Sequence, residues 1–259
     1  MQFTAKTARR RFQHFPGLLL TICLGGSFIQ GAETSNKPAQ ASDRYEVHSI
    51  HDPDGIGKFY LGREIAQVMG HQGADWLERP EREEEEHTET LVEQLRLKPG
   101  DTAADIGAGT GYVSRRLVTK IGSKGKVLAV DIQPEMLNLL TNKMASLGIN
   151  NVFPVLGTES DPKLPAGSVD LVLMVDVYHE FEFPFEMMTG ICRSLKPSGR
   201  VAFVEFRAED PAVPIKRLHK MSEAQVRKEM TAMPLHWLQT IEVLPRQHII
   251  VFGKSIDRP

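Results

Sequence analysis

Residues 102–131 constrain this chain more than any other stretch. Thr102-Ala103-Ala104-Asp105-Ile106 is short, apolar and preceded by Pro99-Gly100-Asp101, the pattern of a buried strand. Gly107-Ala108-Gly109-Thr110-Gly111 follows, then a helical stretch over 112–121, then an apolar run over 126–131 that ends in Asp131. Glycines at such a point let the backbone turn tightly and approach a ligand with no Cβ in between. Asp131 lies 20 residues beyond Gly111, where a carboxylate at a strand end can accept both hydroxyls of a ribose. A tight turn alone would explain the glycines. Strand, helix and distal acid together point to an adenosine-containing ligand.

The alternation continues toward the C-terminus. We expect helices over 134–147, 185–195 and 222–233, and strands over 152–156, 169–175, 200–206, 238–244 and 248–252. The first of these helices begins at Pro134, a residue favoured in a first helical turn. Continuous apolar runs in the strands predict a parallel sheet covered on both faces. Only Pro245-Arg246-Gln247 separates the last two strands, so they should be antiparallel to each other. The expected fold class is therefore α/β: a Rossmann-like doubly wound sheet, mostly parallel, with an antiparallel C-terminal strand.

Two residues separate a dinucleotide from S-adenosylmethionine as the ligand. The dinucleotide fingerprint places a third glycine or alanine where Tyr112 stands. Asp105 sets a carboxylate just before the loop, which repels a pyrophosphate and suits a ligand carrying an ammonium and a sulfonium. On these motifs, residues 102–206 together with 238–252 resemble a class I S-adenosylmethionine-dependent methyltransferase, and are similar to the small-molecule methyltransferases of ubiquinone and menaquinone biosynthesis. The resemblance implies an enzyme that uses S-adenosyl-L-methionine. It implies that Asp105, Gly107, Ala108, Gly109 and Gly111 meet the methionine moiety, that Asp131 binds the ribose and that Ile132 packs on the adenine. Where the family has Gly-Asp after the third strand, this chain has Gly157-Thr158-Glu159, so Thr158 and Glu159 share the adenine-amine position.

The strand over 169–175 leads into Asp176-Val177-Tyr178-His179-Glu180-Phe181. In the family this segment separates cofactor from acceptor. The resemblance thus implies Asp176 at the methionine end, Tyr178 orienting the acceptor and His179 as general base, its ordinary pKa lying near neutrality. The plainer alternative is that His179 and Glu180 cap the next helix or pair with each other. The Asn/Asp-Pro-Pro-Tyr signature of amino-group methylation on bases or glutamine is absent from this segment. Glu205 and Arg207 lie at the carboxyl end of the strand over 200–206, and one of the two is expected to face the site. Arg207 and Arg246 either bind a charged acceptor or form surface ion pairs.

Upstream of this core we divide the chain into a leader over 1–32, a polar linker over 33–45 and a helical extension over 46–97, with the methyltransferase domain over 98–259. Within the extension we expect helices over 62–69 and 81–97. Its aromatic and basic residues, including Trp76 and Arg79, either form a lid or pack a helix on the sheet with Trp76 as a core anchor. Glu83–Glu86 is expected to be a solvated face, and no metal is expected. The leader's only charged residues are Lys6, Arg9, Arg10 and Arg11, ahead of an apolar run over 18–24 too short to span a bilayer comfortably. It reads as a signal peptide or membrane-anchoring leader, twin-arginine-like at Arg9-Arg10-Arg11-Phe12, which places the protein in the periplasm or cell envelope. The alternative is a basic tail on a cytoplasmic protein. Without those four residues the chain has 27 basic against 33 acidic side chains, which offers no basic face to nucleic acid. Of two cysteines, Cys23 falls in the leader, so its cleavage leaves Cys192 with no intramolecular partner.

The expected function is methyl transfer from S-adenosylmethionine to a small-molecule or lipid-like acceptor. The main rival is a non-catalytic binder of S-adenosylmethionine or S-adenosylhomocysteine in the cell envelope. A nicotinamide oxidoreductase is disfavoured by Tyr112 and Asp105.

Overall fold

A computed structural model describes residues 44–255. The leader expected over 1–32, with Cys23, and all but the last two residues of the linker expected over 33–45 lie outside the described residues.

The alternating pattern folds as a seven-stranded sheet. Its strands are β4 (Thr102–Ile106), β5 (Lys126–Asp131), β6 (Val152–Leu156), β7 (Val169–Val175), β8 (Leu195–Phe206), β9 (Leu235–Ile241) and β10 (Gln247–Lys254), in the order β6-β5-β4-β7-β8-β10-β9. The first five in that order run parallel, and β10 runs antiparallel to both β8 and β9. Helices α4 (Ser114–Ile121), α5 (Pro134–Ser146), α6 (Pro184–Ser194) and α7 (Glu223–Met230) supply four of the connections, while β6 passes to β7 and β9 to β10 without a helix. Strand β7 shows why both faces are dry. Val172 and Met174 belong to one apolar cluster, Leu171 and Leu173 to the other, and all four are buried. Side chains alternate across a strand, so a continuous apolar run feeds two cores at once.

Strand order reverses between β4 and β7, the chain passing to β5 on one side and to β8 on the other. Connections leaving the carboxyl ends of these two strands diverge and leave a crevice there. Topology thus places a ligand site before any side chain is considered.

The segment before the core departs from the expected helices. Residues 62–69 form no helix. Strands β1 (Tyr45–Val47), β2 (Gly55–Tyr60) and β3 (Arg63–Ala66) make a small antiparallel sheet in the order β1-β2-β3. Leu61 (φ 48°) and Gly62 (φ 86°) form the two-residue turn between β2 and β3, both with positive φ, the geometry that matches strand twist in a hairpin. The helix expected over 81–97 is two helices. After α1 (Ala74–Leu77) come α2 (Arg82–Glu86) and α3 (Thr88–Gln94), broken at His87, which has φ 50°. Glu86 is not on a solvated face. It is 3% exposed and paired with Arg79 and Arg82 at 2.6 and 2.9 Å.

Candidate active site

A cavity of about 480 Å³ opens at the crevice between β4 and β7, within the range of about 300–1,000 Å³ typical of small-molecule sites. Its walls come from the glycine loop, the ends of β5 and β7, the 176–182 segment, Phe206 with residues 214–219, and Val68, Met69, Trp76, Leu77 and Arg82 from upstream. The upstream segment therefore forms one wall. Trp76 remains 43% exposed with the Arg79 guanidinium 3.8 Å from its ring centre, so it is no core anchor. Glu78 fastens this wall to the loop by accepting hydrogen bonds from Thr110 Oγ1 at 2.6 Å and Arg115 at 2.8 and 2.9 Å.

The loop leaves β4 with Gly107 at φ 69° and Gly109 at φ 53°, left-handed values that favour glycine. Space makes the same demand. A Cβ on Gly107 would sit 2.5 Å from Val177, and one on Gly109 2.6 Å from Leu77. Asp131 holds the loop in this shape. One carboxylate oxygen accepts the Gly109 amide and the other the Gln133 amide, each at 2.9 Å. Burial raises its pKa, opposed by these backbone donors.

Asp176 sits at the end of β7 with φ 49°, a strained conformation for a non-glycine residue. Gln247 Nε2 donates to its Oδ2 at 2.6 Å, while Oδ1 is buried with no partner among the described residues. Burial pushes the Asp176 pKa well up, helped by the charges of Glu86 and Glu205 and opposed by Arg82. A buried carboxylate oxygen without a donor is costly, and a cationic ligand would relieve it.

The cavity is also lined by His179, Glu180 and His219. His179 Nδ1 lies 2.6 Å from Oε2 of the fully buried Glu205, whose Oε1 accepts the Tyr178 amide at 3.0 Å. With Nδ1–H donating to the carboxylate, Nε2 is the imidazole's lone-pair end, and it meets His219 Nδ1 at 3.2 Å. Burial alone would lower the His179 pKa, but the charge and hydrogen bond of Glu205 outweigh it and the net shift is upward. Burial raises Glu180 to about 7 and lowers His219 to about 4.

Of the residues expected in the site, Gly107, Gly109, Asp131, Ile132, Glu159, Asp176 and His179 line the cavity. Tyr178 does not. Its ring is fully buried against Phe181 and Phe203, and its hydroxyl donates to Glu229 at 2.6 Å, so it orients nothing in the cavity. Asp105 lies beneath the loop, where Ser114 Oγ donates to it at 2.6 Å, and burial raises its pKa to about 6. Gly111 packs on Leu140 and Met144, and Ala108 also stands back from the cavity wall. Thr158 is turned into a local turn, its Oγ1 accepting the amides of Ser160 and Asp161, which leaves Glu159 facing the cavity. Arg207 and Arg246 are spent on Glu242 and Glu85. His219, Arg82 and Gln247 were not foreseen from the residues alone. His219 follows a strand's carboxyl end, which is the one sequence signal that it belongs to the ligand side.

Among the described residues, five acidic side chains line the cavity (Asp131, Glu159, Asp176, Glu180 and Glu182) against two strong cations, Arg82 and Lys216. That balance, with the orphaned Asp176 oxygen, fits a cationic amino-acid sulfonium and disfavours a pyrophosphate.

Comparison with known proteins agrees with this geometry. A family profile described as a methyltransferase domain matches residues 97–249. An uncharacterized methyltransferase-like protein of Schizosaccharomyces pombe is 32% identical over 49% of this chain and 46% of its own length. A ubiquinone/menaquinone biosynthesis C-methyltransferase of Vibrio vulnificus is 29% identical over 42% of each chain. This chain thus spans about half the length of the curated relatives it matches. A solved S-adenosylmethionine-dependent methyltransferase from Aquifex aeolicus is 26% identical, with a TM-score of 0.69, covering 73% of this chain and 100% of that one.

Proposed function

Because the chain belongs to the methyltransferase-domain family, we propose that it binds S-adenosylmethionine at the β4/β7 crevice and transfers the methyl group to a small-molecule acceptor. The observation that carries this reading is a single cavity lined by the glycine loop, by Asp131 and by His179. S-adenosylmethionine, when bound, supplies a methyl group made electrophilic by the sulfonium. The chain's own residues bind, orient and exclude water. Asp131, already anchored by two backbone amides, offers its remaining lone pairs to the ribose hydroxyls. Ile132 and Met136 give an apolar surface for the adenine, with Glu159 beside it. Asp176 Oδ1 meets the cationic end. The acceptor's apolar body lies against Phe181, Met187, Phe206 and Ile215, which favours a lipid-like molecule. His179 Nε2 accepts a hydrogen bond from its reacting oxygen or acidic carbon. Holding acceptor and methyl donor in line in a dry pocket is the chief source of acceleration for such a displacement.

A non-catalytic binder has no use for a polar cluster at the acceptor end, so the arrangement favours turnover. The leader over 1–32 supports an exported or membrane-held location, which cell fractionation tests.

Isothermal titration of the full chain with S-adenosylhomocysteine should give one site per chain. A tritiated-methyl assay against lipid and small-molecule extracts should then label an extractable product. Failure to bind either S-adenosylmethionine or S-adenosylhomocysteine refutes the cofactor reading. Binding without labelling of any extract returns the binder.

A further inference from the structure

We propose that His179, Glu180 and His219 form a binding site for a divalent first-row transition metal of the zinc or iron(II) class at the acceptor end of the cavity. The inference rests on and deepens the methyl-transfer reading: it puts a metal ion between His179 Nε2 and the acceptor in place of their direct hydrogen bond, and departs from the expectation of no metal. His179 Nε2 and His219 Nδ1 are 3.2 Å apart, and Glu180 Oε1 lies 3.9 Å from the first and 3.6 Å from the second. Metal–nitrogen and metal–oxygen bonds of about 2.0–2.2 Å at tetrahedral angles put neighbouring donors about 3.4 Å apart. The three separations bracket that value, so an ion fits among them with small side-chain adjustments.

The surroundings of His179 make the same case independently. A histidine ligand characteristically donates its other ring N–H to a carboxylate, which fixes the tautomer and raises the basicity of the ligating nitrogen. Glu205 does this at 2.6 Å, buried within β8 and held by the Tyr178 amide. The ring is thereby locked with its lone pair toward Glu180 and His219. Two short 3-10 turns carry the donors, Tyr178–Glu180 and Arg217–His219, and Arg63 clamps the first by donating to the His179 carbonyl at 3.0 Å. The Met69 amide donates to Glu180 Oε1 at 3.3 Å, orienting that carboxylate too.

Three protein donors facing a cavity leave the remaining coordination positions open, which is the pattern of a catalytic rather than a structural metal site. Two imidazoles and one carboxylate select zinc or iron(II) over magnesium or calcium. The open position takes an oxygen donor, so the acceptor class narrows to hydroxyl-bearing or enolisable molecules. The metal draws the O–H proton off to solvent. The resulting oxyanion, or the carbon conjugated to it, forms the new bond to the methyl carbon while the C–S pair stays on sulfur as a neutral thioether.

The test uses the full-length chain stripped with a chelator and titrated with Co2+, read by visible d–d absorption, and with Zn2+, read by calorimetry. One ion per chain is expected, with the intense absorption of a four- or five-coordinate site. His219→Ala should abolish that absorption, and Glu180→Gln should weaken binding, while His236→Ala, on an exposed side chain outside the cavity, should leave both unchanged. Glu205→Gln should weaken metal binding by about 10–100-fold through its effect on His179. Absence of a Co2+ signal, or a signal that survives His219→Ala, overturns the proposal. S-adenosylhomocysteine titrated into the stripped protein keeps the two readings apart. Cofactor binding without metal binding removes only the metal site, and metal binding without cofactor binding removes only the methyl-transfer reading.

Discussion

Replacing Arg63 with methionine removes a buried ion pair between the β1–β3 sheet and the core, together with the hydrogen bond to the His179 carbonyl. Arg63 Nε and Nη2 donate to the two oxygens of Glu229 at 2.8 and 3.1 Å, a bidentate pair from β3 to α7. Glu229 is fully buried, and it also accepts from the Tyr178 hydroxyl at 2.6 Å and Gln225 at 2.9 Å. Methionine keeps much of the aliphatic bulk but leaves a carboxylate without its counter-charge in a site that water does not reach. Removing one partner of a buried pair costs about 3–5 kcal/mol, a large share of a typical total stability of about 5–15 kcal/mol. In a domain of this size a loss of about 4 kcal/mol lowers the midpoint of thermal unfolding by roughly 8–16 °C. Glu229→Gln alone strands the guanidinium instead. The double variant removes both charges while the glutamine carbonyl can still accept from Tyr178. It should therefore be more stable than Arg63→Met, with a coupling of about 2–3 kcal/mol in a double-mutant cycle measured by urea unfolding. Additive losses, or an Arg63→Met cost under about 0.5 kcal/mol, would refute the reasoning.

Asp131→Asn removes the charge from an acceptor of two backbone amides, one of which must then face an NH2 group. Hydrogen bonds to charged groups are worth about 1.5–3 kcal/mol, so S-adenosylhomocysteine affinity measured by calorimetry should fall by at least about tenfold. Asp105 has its pKa raised by burial from 3.8 to about 6. The native state therefore binds more protons than the unfolded chain between those values, and this group's contribution to stability falls as pH rises through that window. Asp105→Asn should accordingly gain stability over the parent above pH 6, by about 3 kcal/mol at most, with the gap closing below pH 4 in urea titrations. Trp76 lines the cavity and Trp237 does not. Ligand-induced change in tryptophan fluorescence should thus vanish in Trp76→Phe and persist in Trp237→Phe.

Much of the core was legible along the chain because its determinants are local. Apolar runs specify strands covered on both faces, Pro134 opens a helix, and glycines between a strand and a helix mark a close-approach loop. The errors have local causes too. Residues 62–69 carry Glu64, Ile65, Ala66 and Val68 at spacings a helix tolerates, and the hairpin before them turns on Leu61-Gly62 rather than on the Asn-Gly that would have announced it. Glu86 closed a run of four glutamates and gave no sign that Arg79 and Arg82 would bury it.

By itself the sequence determined the strand–glycine loop–helix core, the position of Asp131 at a strand end and the family resemblance that these motifs carry. Backbone dihedral preferences and side-chain alternation act over a few residues, so they can be read in order. Tertiary structure alone decided what each polar side chain does. It turned Tyr178 into the core toward Glu229, set Asp105 beneath the loop, left one oxygen of Asp176 without a donor, and brought His219 from the connection after β8 to within 3.2 Å of His179. The gathering of the cavity-lining groups depends on the reversal of strand order at β4 and β7, which brings loops distant along the chain together at the carboxyl ends of the central strands.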